Sequence, residues 1–193
     1  MKEIIQKEHE VLREQSKAVP LGDITSAKIK KVLKDMKEAM DSQDDGVAIA
    51  APQIGVSLRI FIVSKKVFER HGNKDGQQRE KQIVKDLVFI NPEIVKHSKK
   101  TAWVDEGCLS VRWLYGEVER AEQLTIKAYD EDGNVFTRGA GGLLAQIFQH
   151  ETDHLDGTLF IDKARNVQEV LPDEHHAEDT PACASPHADR PQL

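Results

Sequence analysis

The sequence predicts an α+β fold, with strands in its central part and a late helix that carries two histidines. Two observations support this class. Apolar residues recur with helical spacing between positions 24 and 40, and again between positions 143 and 155. Between these segments lie short runs of β-branched and aromatic residues, bounded by polar or glycine-containing turns, and such runs are typical of strands.

The first helix is predicted over residues 24–40, with Thr25 or Ser26 as its cap and an end near Asp41. Its apolar face is formed by Ile29, Val32, Leu33, Met36 and Met40. Residues 59–64 read as a buried strand. Residues 87–95 read as another strand, which Pro92 interrupts.

The second half of the chain supplies a hairpin and the late helix. LTIKAYD, at residues 124–130, alternates as a half-buried strand does, and the turn EDGN joins it to VFTR. The late helix then keeps its apolar period until Gly157, which can end it. Residues 69–82 are polar and turn-rich, so they predict an exposed loop.

The composition fits one soluble domain without a membrane or nucleic-acid surface. The 193 residues are 39% hydrophobic, and no apolar run approaches the ~20 residues that span a bilayer. The N-terminus mixes acids with bases and lacks the apolar stretch of a signal peptide, so we expect a cytoplasmic protein. No basic stripe is present, so direct nucleic-acid binding is not expected.

The C-terminal part differs from the rest of the chain. From Arg165 onward, six acids and two arginines give −4 of the net charge of −6. Proline, alanine, aspartate and histidine occur there without periodicity, so the segment cannot bury enough apolar surface to offset ordering. We therefore predict a domain of residues 1–165 and a mobile, acidic tail of residues 166–193.

The segment QHETDHLDG, residues 149–157, contains the H-E-x-x-H pattern of metal-dependent hydrolases. Residues four apart lie on one face of a helix, so His150 and His154 can direct their imidazoles at one ion. Glu151 lies beside the first ligand, where its carboxylate can reach a water molecule rather than the metal. The pattern alone also fits a solvated polar face, so a third ligand is needed.

Cys108, in the segment EGCLS at residues 106–110, is the expected third ligand. A thiolate and two imidazoles suit a tetrahedral divalent cation whose fourth position is open to water. A lone cysteine is more often a small buried hydrophobe. Gly107 permits close backbone approach, however, and Glu106 is a poor neighbour for a purely apolar core position. Cys183 is assigned no role.

Three motifs in this order, GVAIAAPQ (46–53), EGCLS and QHETDHLDG, carry a resemblance to a known family. Together with NPEI and the DEDG hairpin, they make the chain resemble peptide deformylase from about residue 8 to residue 165. The resemblance implies antiparallel sheets around a central metal-binding helix. It also implies a metal-dependent hydrolase that removes the formyl group from the N-terminal formyl-methionine of new polypeptides, releasing formate.

The resemblance further implies a role for each motif residue. The metal ligands would be Cys108, His150 and His154. Glu151 would act as the acid and base, while the Gln53 amide and the backbone N–H of Leu109 would stabilise the oxyanion. The implied cofactor is one divalent ion, with Fe(II) as the native form and Zn(II) or Ni(II) as alternatives in the purified protein.

A substrate groove is also implied. The peptide would lie extended along backbone edges, as in β-augmentation. These edges belong to Gly46, Val47, Ala48 and Gly107. The methionine pocket would be lined by Val47, Val104, Leu143, Ile147 and the ring of His150. Glu106 would orient Arg120 or close one side of the pocket. Helical spacing puts Leu143 and Ile147 on the side of His150, although it also fits plain core packing.

Two departures from the family pattern leave alternatives open. Ala48 stands where the family usually has glycine, and Arg112 stands where proline is common. They leave room for a domain that binds formylated peptides without turnover. The other alternative is a zinc endopeptidase, in which Asp156 or Asp162 supplies the third ligand.

The expected partners follow from the origin of the substrate. We expect the protein to meet formylated nascent peptides close to the ribosome, without contacting nucleic acid or a membrane. Nothing in the sequence requires a dimer, so the expected state is a monomer.

Overall fold

The computed structural model describes residues 2–71 and 85–172. The α-helices in these ranges are α1 (Ala27–Asp41), α2 (Lys66–His71) and α3 (Leu143–Leu155). The strands there are β1 (Ala48–Ala50), β2 (Ile60–Val63), β3 (Leu87–His97), β4 (Thr101–Gly107), β5 (Leu114–Ala121), β6 (Gln123–Tyr129), β7 (Val135–Gly141) and β8 (Arg165–Glu169). They form one antiparallel sheet in the order β1-β2-β3-β6-β7 and a second in the order β4-β5-β8.

Helix α3 sets the layout because it packs against both sheets. It contacts β1, β2, β6 and β7 of the first sheet and β5 of the second. Its buried apolar residues include Ala145, Ile147, Phe148 and Leu155. The predicted α+β class, with antiparallel sheets around a late helix, is confirmed. No helix in the described ranges is long and apolar enough to cross a membrane.

Strand β2 is buried on both faces, which explains its continuous apolar sequence. Ile60 and Ile62 point into the core that α1 closes, and Phe61 and Val63 point into the core that α3 closes. On the α3 side, Phe61 stacks on Phe89 with ring centroids 4.5 Å apart. The edge of Phe148, from α3, meets Phe89 at 4.8 Å. This aromatic contact fixes α3 on the sheet.

Helix α1 begins at Ala27, after Ser26, one of the two predicted caps, rather than at residue 24. Ser26 is the N-cap, since its Oγ accepts a hydrogen bond from the backbone N–H of Ile29. The predicted apolar face is buried at Ile29, Leu33, Met36 and Met40, while Val32 is partly buried against the same core. The helix ends at Asp41.

Strand β3 continues past Pro92, although the sequence predicts an interruption there. Its pairing with β6 is irregular between Ile90 and Glu93, and Asn91 has φ of 50°. Proline is tolerated in such a bulge because the ladder is already broken there. The Asn91 side chain stabilises the irregularity by bonding both the N–H and the carbonyl of Val19, each at 2.8 Å.

The hairpin of β6 and β7 has the predicted turn. Asp130 accepts backbone N–H groups from Asp132 and Asn134, and Gly133 takes φ of 85°. Strands β4 and β5 pair from Thr101 opposite Ala121 to Gly107 opposite Tyr115, and the sequence did not predict either strand. In the predicted loop, residues 69–71 belong to α2, and residues 72–82 lie outside the described part.

The predicted start of the tail at residue 166 is placed too early, because Arg165–Glu169 form strand β8. Every residue of β8 is exposed, so no apolar alternation marks it in the sequence. Backbone pairing with β5 holds it instead. The Arg165 guanidinium also stacks 3.6 Å from the Trp103 ring centroid and bonds Glu117. Residues 173–193 lie outside the described residues, so the tail itself stays a prediction.

The N-terminal segment fastens the C-terminal end of α3. The N–H of Ser16 donates to the carbonyl of Leu155 at 2.8 Å, and Arg13 forms an ion pair with Asp162. Gly157 has φ of 73°, and a Cβ atom there would lie only 2.6 Å from the carbonyl oxygen of Arg13. Only glycine satisfies both constraints.

We predict that Gly157→Ala lowers the free energy of unfolding by more than the ~1–2 kcal/mol typical of a left-handed alanine. Two glycines serve as controls. Gly55 has φ of 75° with nothing within 4 Å, so Gly55→Ala reports the backbone strain alone. A Cβ atom at Gly22 would have nothing within 4 Å, so Gly22→Ala should lower the free energy of unfolding least. Urea denaturation of the three variants measures how much each one lowers the free energy of unfolding. Equal decreases for Gly157→Ala and Gly55→Ala would show that the close approach of Gly157 to Arg13 adds nothing to the backbone strain.

Candidate active site

Helix α3 and the turn after β4 bring three metal-binding side chains together. The candidate ligand atoms of Cys108, His150 and His154 all lie within 4.8 Å of one another. The Cys108 Sγ is 3.2 Å from the Nε2 of His154. This is the ligand set that the sequence predicts. Cysteine and histidine in this number suit a tetrahedral cation with one position left for water.

Glu106 determines which nitrogen of His150 faces the cluster. Its Oε2 lies 2.9 Å from the Nδ1 of His150, so Nδ1 carries the proton and Nε2 is free to ligate. Arg120 holds the same carboxylate with two hydrogen bonds of 2.7 and 2.9 Å. Arg120 also donates to Asp153 at 2.6 Å, which ties the network back to α3. Of the two roles predicted for Glu106, the contact with Arg120 is present.

Charge and burial oppose each other in this network. Burial raises the pKa of Glu106, but the hydrogen bonds from Arg120 and His150 outweigh it and bring the pKa down to about 2. Burial lowers the pKa of His150, but the interactions of its ring with Cys108 and with the Glu106 carboxylate outweigh burial and raise the pKa well above the ordinary value. Burial keeps the pKa of His154 well below its ordinary value.

Glu151 is the buried carboxylate of the site. Its side chain lines the cleft above the cluster, and only 4% of the residue is exposed. Burial raises its pKa to about 7. Its Oε2 is buried and has no hydrogen-bond partner among the described residues. A buried, unpartnered carboxylate beside a metal-ligand cluster fits a group that acts on bound water.

Gln53 connects the glycine-rich segment with the cysteine turn. Its Oε1 accepts the N–H of Ala50 at 2.8 Å, which fixes the amide so that Nε2 faces Cys108 and Ser110. The distances from Nε2 are 3.6 Å to the Cys108 Sγ and 3.2 Å to the Ser110 Oγ. The cleft wall includes Gln53 and Leu109, the two predicted oxyanion donors.

The cleft contains most of the residues predicted to bind substrate. It is lined by Val47, Ala48, Gln53, Glu106, Gly107, Cys108, Leu109, Gln146, Ile147, His150 and Glu151. Val104 and Leu143 line a neighbouring cavity instead. Gly46 lies outside the lining because it packs on the end of α1, where a Cβ would meet the Met40 carbonyl oxygen at 2.5 Å. Gln146 belongs to the lining, and the sequence reading missed it.

Ala48 and Arg112, the two residues that depart from the family pattern, do not block the cleft. Ala48 lines the cleft, is 7% exposed and pairs in register with Val63. Arg112 turns aside from the cluster to form a bidentate pair with Asp45, with N–O distances of 2.5 and 3.0 Å, and it also donates to Gln43. This pair joins the turn after Cys108 to the loop before Val47, which are the two sides of the cleft.

The carboxylates that an endopeptidase would need are already engaged elsewhere. Asp156 accepts a hydrogen bond from Arg59 at 2.6 Å. Asp162 pairs with Arg13 and accepts the N–H of Leu159 at 2.9 Å. Cys108 is therefore the third donor beside the two histidines in the described structure. The H-E-x-x-H helix, the cysteine donor and the buried Glu151 define a metallohydrolase.

Comparison of the sequence and the structure with known proteins shows which group of metallohydrolases this chain resembles. The polypeptide deformylase family matches residues 1–170. A peptide deformylase of Symbiobacterium thermophilum is 40% identical, covering 97% of this chain and 79% of the relative. Chloroplastic peptide deformylase 1A of Solanum lycopersicum is 38% identical over 84% of this chain, which spans 59% of that relative. A crystal structure of a Legionella pneumophila peptide deformylase shares 36% identity, with a TM-score of 0.71 over 86% of this chain and 87% of that one.

The chain belongs to the polypeptide deformylase family. The predicted family, enzyme class and reaction are thereby confirmed. The protein is a metallohydrolase that removes the formyl group from the N-terminus of newly made polypeptides. These matches support neither of the two alternatives, the endopeptidase and the non-catalytic binding domain.

We predict that ionised Glu106 stabilises the metal-free protein. Its pKa is about 2 when folded and 4.5 ordinarily, so the stabilisation is complete above about pH 4.5 and is lost as the pH falls toward 2. At about 1.4 kcal/mol per pKa unit, it amounts to about 3 kcal/mol. Urea denaturation should show the advantage of the wild type over Glu106→Gln shrinking between about pH 5 and pH 2. Parallel pH curves for the two proteins would contradict this.

Proposed function

We propose that Cys108, His150 and His154 hold one divalent cation at the base of the cleft. The support is their donor set and the 4.8 Å limit on the distances among their ligand atoms. When bound, the cation supplies Lewis-acid chemistry that makes water a nucleophile at neutral pH. The family resemblance favours Fe(II) as the native ion. Thiolate ligands of iron are easily oxidised, so Zn(II) or Ni(II) would be found after purification in air.

Glu151 carries the proton through the reaction, and its buried, unpartnered Oε2 is the observation on which the proposal depends. A pKa of about 7 lets one group accept and return a proton near neutral pH. Glu151 accepts a proton from water as the water oxygen bonds to the formyl carbon. The carbon–nitrogen bond then breaks, and Glu151 returns the proton to the amine nitrogen. The remaining hydroxyl proton of the formic acid passes to the amine, and formate leaves.

Gln53 and Leu109 stabilise the negative charge that develops on the formyl oxygen. The Gln53 amide is pre-oriented because the Ala50 N–H holds its Oε1. Nε2 donates to Cys108 and Ser110 in the free protein, and one of these two N–H groups would turn to the oxyanion. The backbone N–H of Leu109 is the second donor. The carbonyl of Leu109 accepts a hydrogen bond from Gln6 at 3.1 Å, which fixes the orientation of that peptide segment.

The substrate peptide lies extended between the two sheets. Strand β1 is at the edge of the first sheet and β4 is at the edge of the second, and both lead into the cleft. An added strand can therefore bond to backbone at Val47–Ala48 and at Gly107. The methionine side chain enters the side-chain pocket, which we define as the part of the cleft lined by Val47, Gln146, Ile147 and His150.

The setting of the reaction follows from the substrate. The protein acts as a monomer on formylated peptides as they leave the ribosome, in the cytoplasm. The support is that such peptides are the substrate of this family and that bacterial relatives match along most of the chain. Chloroplastic relatives also match, so an organelle that begins synthesis with formyl-methionine is the alternative compartment.

We predict that Glu151→Ala abolishes turnover of formyl-Met-Ala-Ser without loss of metal, because the variant lacks the acid–base group. The decrease should be about 10²–10⁴-fold. Protein is loaded without air with Fe(II) or Zn(II), metal content is measured, and formate release is followed. The control is Glu119→Ala, an exposed glutamate bonded to Thr101, which should keep wild-type turnover. Turnover by Glu151→Ala would contradict the mechanism, and faster turnover with Zn(II) than Fe(II) would contradict native iron.

We also predict that Gln53→Glu lowers kcat by about 10²–10³ while KM changes little. The substitution keeps the volume and the acceptor for the Ala50 N–H but replaces the amide donor with an oxygen. Steady-state kinetics with formyl-Met-Ala-Ser measure both constants. A kcat within threefold of the wild type would remove Gln53 from the oxyanion site.

A further inference from the structure

Gln146 lies between two cavities that open on either side of it. On one side it lines the cleft beside Ile147 and His150. On the other side it lines an outer cavity, defined by Ala102, Val104, Arg120, Ala121, Glu122, Gln123, Gly141, Gly142, Leu143 and Gln146. Gln146 is the residue that both linings share. The empty space, which includes space open to solvent, is about 410 Å³ in the cleft and about 820 Å³ in the outer cavity.

The side chain of Gln146 is held in this position across the gap between α3 and β4. Its Nε2 donates to the carbonyl oxygen of Asp105 at 2.7 Å, and 9% of the residue is exposed. Asp105 directly precedes Glu106, which orients His150. The hydrogen bond thus holds the amide at the side of the cleft that adjoins the outer cavity.

The outer cavity can accept an alkyl chain. Ala102, Val104, Ala121 and Leu143 supply apolar surface. Its arginine, Arg120, is already bonded to Glu106 and Asp153, so an alkyl chain would not strip it of its partners. Gln146 contributes to the lining of both spaces and therefore lies between this apolar surface and the side-chain pocket.

We propose that Gln146 is a specificity-determining residue that closes the side-chain pocket and limits the length of the first side chain of the substrate. Removing it would join the two cavities and admit unbranched aliphatic side chains longer than that of methionine. The proposal rests on the placement of methionine in the side-chain pocket. An apolar pocket discriminates one methylene by about tenfold or more, so closure at Gln146 is a sufficient barrier.

The test compares formyl-Xaa-Ala-Ser substrates with the metal-loaded enzyme. Xaa is methionine, norleucine, which has nearly the same length, or 2-aminooctanoic acid, which is two carbons longer. We expect the wild type to prefer methionine over 2-aminooctanoic acid by about tenfold or more in kcat/KM. Gln146→Ala should reduce this preference at least tenfold, mainly through a lower KM for the long substrate. Norleucine should behave like methionine in both proteins.

Gln146→Leu is the matched control, because leucine keeps bulk at this position and loses the hydrogen bond to Asp105. It should retain the wild-type preference. A second readout is calorimetric binding of the deformylated products Met-Ala-Ser and 2-aminooctanoyl-Ala-Ser, which requires no turnover. Gln146→Ser replaces the alanine variant if thermal melting shows that the latter is unfolded.

The outcomes separate this inference from the proposed function. An unchanged preference in folded Gln146→Ala or Gln146→Ser, with methionine substrate still cleaved, overturns the inference and leaves the proposed function intact. An equal loss of preference in Gln146→Leu also overturns it, because side-chain bulk would then not be the barrier. A wild type that cleaves none of the substrates contradicts the proposed function itself.

Discussion

The carboxylate of Glu106 connects the three elements that build the site, which are strands β4 and β5 and helix α3. It lies near the end of β4, accepts two hydrogen bonds from Arg120 on β5, and holds the Nδ1 of His150 on α3. Arg120 extends the same connection to Asp153, one helical turn beyond His150. The second sheet is thus fastened to the metal-binding helix through buried charges. The direction of the His150 ring, and with it the cluster, depends on this fastening.

A buried network of this kind is not chosen for stability alone. The free-energy cost of desolvating Glu106 and Arg120 cancels much of the favourable energy of their electrostatic attraction. Well-packed apolar residues in their place could stabilise the fold to a similar degree. Apolar residues could not fix the imidazole tautomer, however. The network therefore exchanges stability for position, and the chain supplies stability elsewhere, in the stacked phenylalanines and the core beneath α1.

The features that were predicted from the sequence are those determined by residues close together along the chain. Helix α1, the hairpin and the His150–His154 pair each follow from a local period or a local turn, and Cys108 followed from the chemistry that the two histidines lacked. Strand β8 was missed because it is exposed along its length and is held by pairing with β5 and by the contacts of Arg165 rather than by a buried apolar face. Gln146 was missed because its place in the cleft depends on the distance between α3 and β4, which no local pattern encodes.

The docking of the N-terminal segment on the end of α3 has a consequence for how the protein assembles. Arg13 and Asp162 are 149 positions apart, and the contact between them closes nearly the whole chain into one loop. Closing such a loop costs conformational entropy, and the contacts of the completed interface are what offset this cost. The segment around Arg13 therefore cannot dock until the segment around Asp162 has been synthesised. An enzyme that acts on newly made chains thus cannot complete its own fold until the segment that follows α3 has been synthesised.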